Sequence, residues 1–353
     1  MNAKSRISRR WARRCMALML ALALTFAAEP AQACGCGVYI PREGEASVGE
    51  EHVLIRWDGQ TEDIVMTLGV LGSSKEAAVI FPVPTRATVK LADAEVFAAL
   101  QELTKPRVET VLDFFPDFGL TGGAPGAPRV TVLARQTLGP FDVSTLAATD
   151  ANALGDWLKA NGYNLSPQIA SVLEPYVAQN WYYVAVRLSP EANDSQLAGT
   201  LDPLWITFAY DQIVYPMRPS ALARNSLTVF VYVLADHRVR KPMSFGRELV
   251  QFADWVDPAA LDQDSPLIPF VPKKLFLTKI VEQIDQPKTI HDDYVFEFAS
   301  ADDVYHEVHY NRISVIAGIP ICLLMLLSIG LVTLGSVLVV RRLRQRPLSR
   351  PKT

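Results

Sequence analysis

The sequence predicts a strand-dominated α+β domain, as one body or two lobes, displayed outside a membrane and tethered by a single C-terminal transmembrane helix. Three observations predict it. Apolar and polar residues alternate over many short segments between residues 52 and 298, which is the period of half-buried strands. Helical stripes are few and clustered rather than interleaved with strands, which favours α+β over a doubly wound sheet. Residues 313–340 are 28 consecutive positions without a charge, long enough to cross a bilayer as a helix.

Taken in chain order, residues 1–14 hold six basic residues and no acid, and an apolar stretch follows from 16 to 28. Ala31, Gln32 and Ala33 then place small residues at the −3 and −1 positions of a cleavage site, so 1–33 reads as a secretory signal peptide. Cleavage would make Cys34 the first mature residue, and whether it is lipidated, disulfide-bonded or metal-bound is left open by the sequence. Residues 52–57 and 63–70 alternate well and flank Asp58-Gly59, a hairpin signal. A third strand, 77–81, stops at Pro82-Val83-Pro84. Val96, Phe97, Leu100 and Leu103 make one helical stripe over 94–103, capped by Asp93.

Residues 119–129 (GLTGGAPGAPR) are a Gly/Pro-rich linker or loop. They divide a β-rich lobe, 34–118, from an α+β lobe, 130–290. The second lobe opens with a strand at 130–138. A helix at 150–161 ends at Gly162, and a second is capped by Ser166 with Pro167 at its first position. Strands are expected at 181–188, 204–210 and 227–234. The last (LTVFVYVL) is apolar on both faces, so it should be central and covered. Residues 245–256 read as a helix, 257–272 as a proline-rich connection and 294–298 as a strand. An acidic juxtamembrane stalk is expected over 291–312, the transmembrane helix over 313–340, and a basic cytoplasmic tail over 341–353. The tail carries six basic residues and no acid, which orients the C-terminus to the cytoplasm.

Between the two apolar ends, residues 34–312 hold 22 basic and 36 acidic residues, a net charge of −14. That balance excludes nucleic-acid binding by bulk electrostatics. The expected partners are the lipid bilayer, through the C-terminal helix, and another protein of the envelope.

One set of blocks resembles a known family. Ala33-Cys34-Gly35-Cys36-Gly37, Ile40-Pro41-Arg42-Glu43-Gly44, and Leu54 to Gly59 followed by Glu62 to Met66 are the first of them. Phe81-Pro82-Val83-Pro84, residues 154–163 (LGDWLKANGY) and Val214-Tyr215-Pro216-Met217-Arg218 complete the set. Together they resemble the bacterial secreted family called domain of unknown function 2330, from Cys34 to about Pro242. The resemblance implies an envelope protein with a signal peptide and often a C-terminal anchor. It implies no activity and no site residues.

Two places have the residue types for chemistry. Cys34 and Cys36, beside a free α-amino group, offer three ligands at one spot, suited to copper or zinc. As a disulfide they would close a tight, reducible ring, and as structural residues they would only pin the N-terminus. His306 and His309, three apart, would share a face if that stretch were helical, and could hold a divalent cation. The metalloprotease spacing His-Glu-x-x-His is missed by one residue. There is no Gly-x-Ser-x-Gly elbow, phosphate-binding loop, dinucleotide fingerprint or Cys-x-x-Cys pair. The sequence therefore favours a non-catalytic binding role over catalysis.

Overall fold

A computed structural model describes residues 38–41, 46–74, 76–113, 142–147, 151–163, 166–188, 197–200, 202–223, 225–314, 329–334, 336–338 and 341. These divide into two compact units, one drawn from 1–105 and 130–306 and the other from 106–129 and 307–353. Residues 1–33, the 119–129 segment, the strand expected at 130–138, Cys34 and Cys36 lie outside the described residues.

In chain order the first unit begins with β1 (Val38–Pro41), β2 (Ala46–Trp57), β3 (Thr61–Ser74), β4 (Ala77–Val83), β5 (Thr88–Leu91) and α1 (Val96–Leu103). The second unit takes β6 (Arg107–Asp113). The first unit resumes with β7 (Asp142–Ala147), α2 (Ala151–Ala160), α3 (Pro167–Ala178), β8 (Tyr182–Leu188), β9 (Leu197–Thr200), β10 (Leu204–Ala209) and β11 (Ile213–Tyr215). Next come β12 (Leu227–Ala235), β13 (Val239–Arg240), β14 (Arg247–Val256), β15 (Leu275–Ile284), β16 (Tyr294–Phe298) and β17 (Tyr305–His306), and the second unit closes with β18 (Val308–Ser314). The fold is strand-dominated α+β, as the alternation predicts.

The first unit is layered around a nine-stranded sheet of order β17-β14-β15-β12-β2-β3-β10-β5, with β9 paired to β3. The Asp58-Gly59 signal does make the β2–β3 hairpin. Gly59 has φ +96°, and the Asp58 carboxylate accepts from the backbone N–H of Gln60 and Thr61 at 3.2 and 2.9 Å. Central β12 lies antiparallel to β15 and parallel to β2, and is covered on both faces. On one face Leu54, Phe230, Tyr232 and Leu277 pack beneath Val96, Phe97 and Leu100 of α1 and beneath Leu267 and Phe270 of the proline-rich connection. On the other face Val53, Ile64, Val231 and Ile280 pack against Val79 and Phe81 of β4 and Val184 and Val186 of β8. Those two strands belong to a four-stranded sheet, β1-β4-β8-β7. Its far face holds Ile40, Ile80, Tyr183 and Ala185 against Leu158, Ile169 and Tyr176 of α2 and α3. A small sheet, β11-β16-β13, completes the same layer. Each fully buried aliphatic side chain in these interfaces contributes about 1.5–3 kcal/mol.

Both helix ends of the middle pair follow their sequence signals. Ser166 Oγ accepts from the Ile169 N–H at 3.3 Å with Pro167 at the first helical position, and Gly162 adopts φ +79° after α2. Asp93 serves α1 less directly: its carboxylate accepts from the Glu95 N–H at 2.8 Å, one position ahead of the helix.

Three expectations are corrected. Residues 245–256 are not a helix but chiefly strand β14. A register shift between Val250 and Phe252 adds a residue to the strand, so the apolar positions Leu249, Phe252 and Val256 fall at helical spacing without a helix. The strands of 34–118 and 130–290 are interleaved, with β12 hydrogen-bonded to β2 and β10 to β3, so these stretches do not make separate lobes. The 291–312 stretch contains β16 in the small sheet, β17 on the edge of the large sheet and most of β18, rather than a free stalk. As for the transmembrane helix expected over 313–340, no helix among the described residues is long and apolar enough to cross a membrane. Most of 313–340 lies outside the described residues. Ile313 and Ser314 end β18, and 329–334 and 336–338 are helical.

In the second unit β6 and β18 form a parallel pair, with Val308 opposite Arg107 and Ser314 opposite Asp113. Val108 and Tyr310 are exposed on it.

Candidate functional site

The two histidines singled out by sequence do not share a helical face. His306 lies in β17, with Nε2 2.9 Å from Asp254 Oδ2. His309 lies in β18, with Nε2 3.2 Å from Glu307 Oε1. Each has its own carboxylate because the stretch is extended, not helical. Among the described residues no group of three or more His, Cys, Asp or Glu side chains is placed to hold a metal ion. Upstream, Cys34 and Cys36 precede the first described residue, Val38, which pairs with Ile80.

No other described histidine has a hydroxyl or thiol partner. His237 Nδ1 meets Asp302 Oδ2 at 2.9 Å, while the sequence neighbour Asp236 pairs with Lys273 instead. His291 Nδ1 meets the Thr289 carbonyl. His52 is buried, its ring stacked on Phe230 at 4.4 Å. The tryptophans are mostly packing residues: Trp181 is buried against Tyr176, and Trp205 lies on Phe270 with its indole N–H on Asp63 Oδ1 at 2.9 Å.

The densest chemistry lies elsewhere, between the large sheet and the small one. Glu282 sits on β15 among Ile280 and Ile284, and is 1% exposed. Directly opposite it in the ladder is Glu248 of β14. Two like charges in that relation repel, and Lys241, just past β13, lies between them. Its Nζ is 2.6 Å from Glu282 Oε2 and 2.7 Å from Glu248 Oε2, and it also donates to Ser244 Oγ and the Met243 carbonyl. The Lys241 side chain has no exposure. Tyr294 of β16 donates its hydroxyl to Glu282 Oε2 at 2.7 Å, and its ring lies 4.2 Å from the lysine nitrogen.

The other carboxylate oxygen, Glu282 Oε1, accepts two backbone N–H groups. Gly246 donates at 2.6 Å and Phe245 donates beside it. Only glycine permits this approach, since a Cβ at Gly246 would lie 2.1 Å from the Gln283 carbonyl oxygen. Next to it, Tyr215 of β11 lies directly opposite Tyr294 and donates to Glu51 Oε1 on β2. The paired tyrosines of the small sheet thus each reach a buried carboxylate of the large one. Burial, and then the charge and hydrogen bond of Glu282, push the Tyr294 hydroxyl well above its ordinary pKa. It remains a donor throughout the physiological range.

Two further buried acids frame this layer. Asp293 Oδ1 accepts from the Tyr176 hydroxyl at 2.6 Å and the Met217 and Arg218 N–H groups at 2.8 and 3.1 Å, tying α3, the turn after β11 and β16 together. Desolvation nevertheless raises its pKa, against the lowering effect of those donors. Glu62 is also fully buried and faces the Val214 N–H at 3.2 Å. Burial, with Asp63 adding to it, raises its pKa well above the carboxylate range.

Sequence reasoning missed this centre. Its one legible signal is Glu282 inside LFLTKIVEQI, a charge on the apolar alternation of a strand. Lys241, Glu248 and Tyr294 are brought to it only by the pairing of β13, β14 and β16.

No curated protein matches the chain significantly. Among solved structures, the crystal structure of baculovirus P35 is similar at 12% identity and a TM-score of 0.35, covering 73% of this chain and 98% of that one, a likeness too distant to carry an argument. A family model described as an uncharacterized protein conserved in bacteria (DUF2330) matches residues 30–297, and the chain belongs to that family.

Proposed function

We propose that the chain is a single-pass membrane protein whose folded part stands outside the bacterial plasma membrane and binds another envelope component without catalysing a reaction. The observation that carries this reading is the uncharged run 313–340, followed by six basic residues and no acid. The signal-like segment 1–33 and the net charge of −14 between the two ends support it. The non-catalytic part is supported by the described histidines, whose partners are carboxylates, a carbonyl or a ring rather than a nucleophile. A reporter fused after Thr353 tests the topology: it should be active only in the cytoplasm, and activity only on the exterior would overturn the reading. Turnover of a hydrolase or thiol-exchange substrate that is lost on changing one side chain would overturn the non-catalytic part.

A second reading rests on Cys34 and Cys36, which stand at the expected mature N-terminus. As a thiol-redox or copper- or zinc-binding pair they would act through that end alone. Intact-mass measurement of the mature protein, with thiol counting and metal analysis, separates the two readings. Metal-free, inert cysteines and a fully functional double Cys→Ser chain would remove the second.

A further inference from the structure

We propose that Lys241 and Glu282 become joined by an intramolecular isopeptide bond, so that the buried centre is a self-modifying cross-link site rather than only an ion pair. The residues form a complete set for amide condensation. The nucleophile is Lys241 Nζ, fully enclosed and 2.6 Å from Glu282 Oε2. The electrophile is the Glu282 carboxyl carbon. Its Oε1 already rests on the N–H groups of Phe245 and Gly246, the arrangement that stabilises the oxyanion of a tetrahedral intermediate. A proton acceptor, Glu248 Oε2, lies 2.7 Å from the same nitrogen and is held by Ser244 Oγ at 2.5 Å. A proton donor, the Tyr294 hydroxyl, lies 2.7 Å from the oxygen that must leave.

The step balances without a co-reactant. Nζ passes a proton to Glu248 and attacks the Glu282 carbonyl carbon, forming the C–N bond and placing negative charge on Oε1. The C–Oε2 bond then breaks. The nitrogen gives up two protons in all, relayed through Glu248 and Tyr294, and Oε2 takes both and departs as water. Ammonium and carboxylate become amide and water, and nothing is oxidised or reduced. The surroundings favour the forward direction, because Lys241 and Glu282 are shut away from solvent and a dry site opposes hydrolysis. A simple ion pair needs neither the two N–H groups on Oε1 nor the second carboxylate on the lysine. The bond would tie the segment after β13 to β15 across 41 positions, a durable fastening for a domain exposed outside the cell.

The test is mass spectrometry of the denatured full-length protein, extracted from membranes and mapped by proteolysis. The expected result is a branched peptide linking Lys241 to Glu282, lighter than its two parts by one water. Glu282→Gln should still link but lose ammonia in place of water. Lys241→Arg should abolish the link. Glu248→Ala, checked for folding by circular dichroism, should slow its formation roughly a hundredfold. Folded wild-type protein with no branched peptide would overturn the proposal, as would a link from Lys241 to Glu248.

Discussion

Glu282 and Glu62 are both fully buried on the same face of the same nine-stranded sheet, yet the fold treats them in opposite ways. Glu282 has a lysine, a tyrosine hydroxyl and two backbone N–H groups on its two oxygens. Glu62 has one backbone N–H and a second acid, Asp63, beside it in the chain. The difference lies in what strand alternation delivers. Asp63 points to the opposite face, where Arg56, Trp205 and Thr207 serve it at 2.7, 2.9 and 2.6 Å. Among the described residues no cation reaches Glu62 in return. The segment after β13 thus brings a partner of opposite charge to one buried acid, while burial without such a partner holds the other toward its neutral form.

Removing the counter-ion should break the comparison most severely. Lys241→Met leaves Glu282 and Glu248 opposed across the β14–β15 ladder with nothing between them. A loss of about 3–5 kcal/mol is expected, measured by urea denaturation. A loss below about 1 kcal/mol would mean that the two acids do not depend on the lysine. Gly246→Ala comes next. Its Cβ would overlap the Gln283 carbonyl oxygen, so the strand must move away and withdraw two donors from Glu282. The expected cost is about 3 kcal/mol, and Gly59→Ala, which meets open space and is strained only by its positive φ, should cost less.

Asp293 sharpens the comparison as an acid served by donors from α3 and from the turn after β11. Asp293→Ala leaves the Tyr176 hydroxyl and the Met217 and Arg218 N–H groups without their acceptor, for an expected loss of about 2 kcal/mol. Asp293→Asn, which keeps an acceptor oxygen, should recover part of it in the same denaturation experiment.

How far these sites could be read from sequence follows from the range of the interactions. The β2–β3 hairpin, α2, α3 and the covered strand β12 were legible because each is specified locally, by Asp58-Gly59, Gly162, Ser166-Pro167 and an unbroken apolar run. The strand β14 was misread because one extra residue after Val250 changes the phase of its apolar positions. The polar centre was illegible for a further reason: Lys241, Glu282 and Tyr294 meet through three different strand pairings, and no spacing along the chain encodes that meeting. His306 and His309 show the reverse error. Their spacing suggested a shared face, but the extended backbone gives each a carboxylate of its own.

The smallest effect should have the opposite sign. The raised pKa of Glu62 in the folded state means that folding favours its protonated form. Its contribution to stability is fully present below the unfolded carboxylate value and is lost as pH rises through the higher folded value. Glu62→Gln keeps an acceptor for the Val214 N–H but carries no charge at any pH. At pH 4 the variant and the parent should unfold at nearly the same temperature. At pH 8 the variant should be the more stable, by about 2 °C in its thermal midpoint. Thermal unfolding of both proteins across that range checks it. Equal midpoints at pH 8, or a variant less stable there than its parent, would show that Glu62 finds in the folded protein a compensation as complete as that of Glu282, and the contrast between the two acids would be gone.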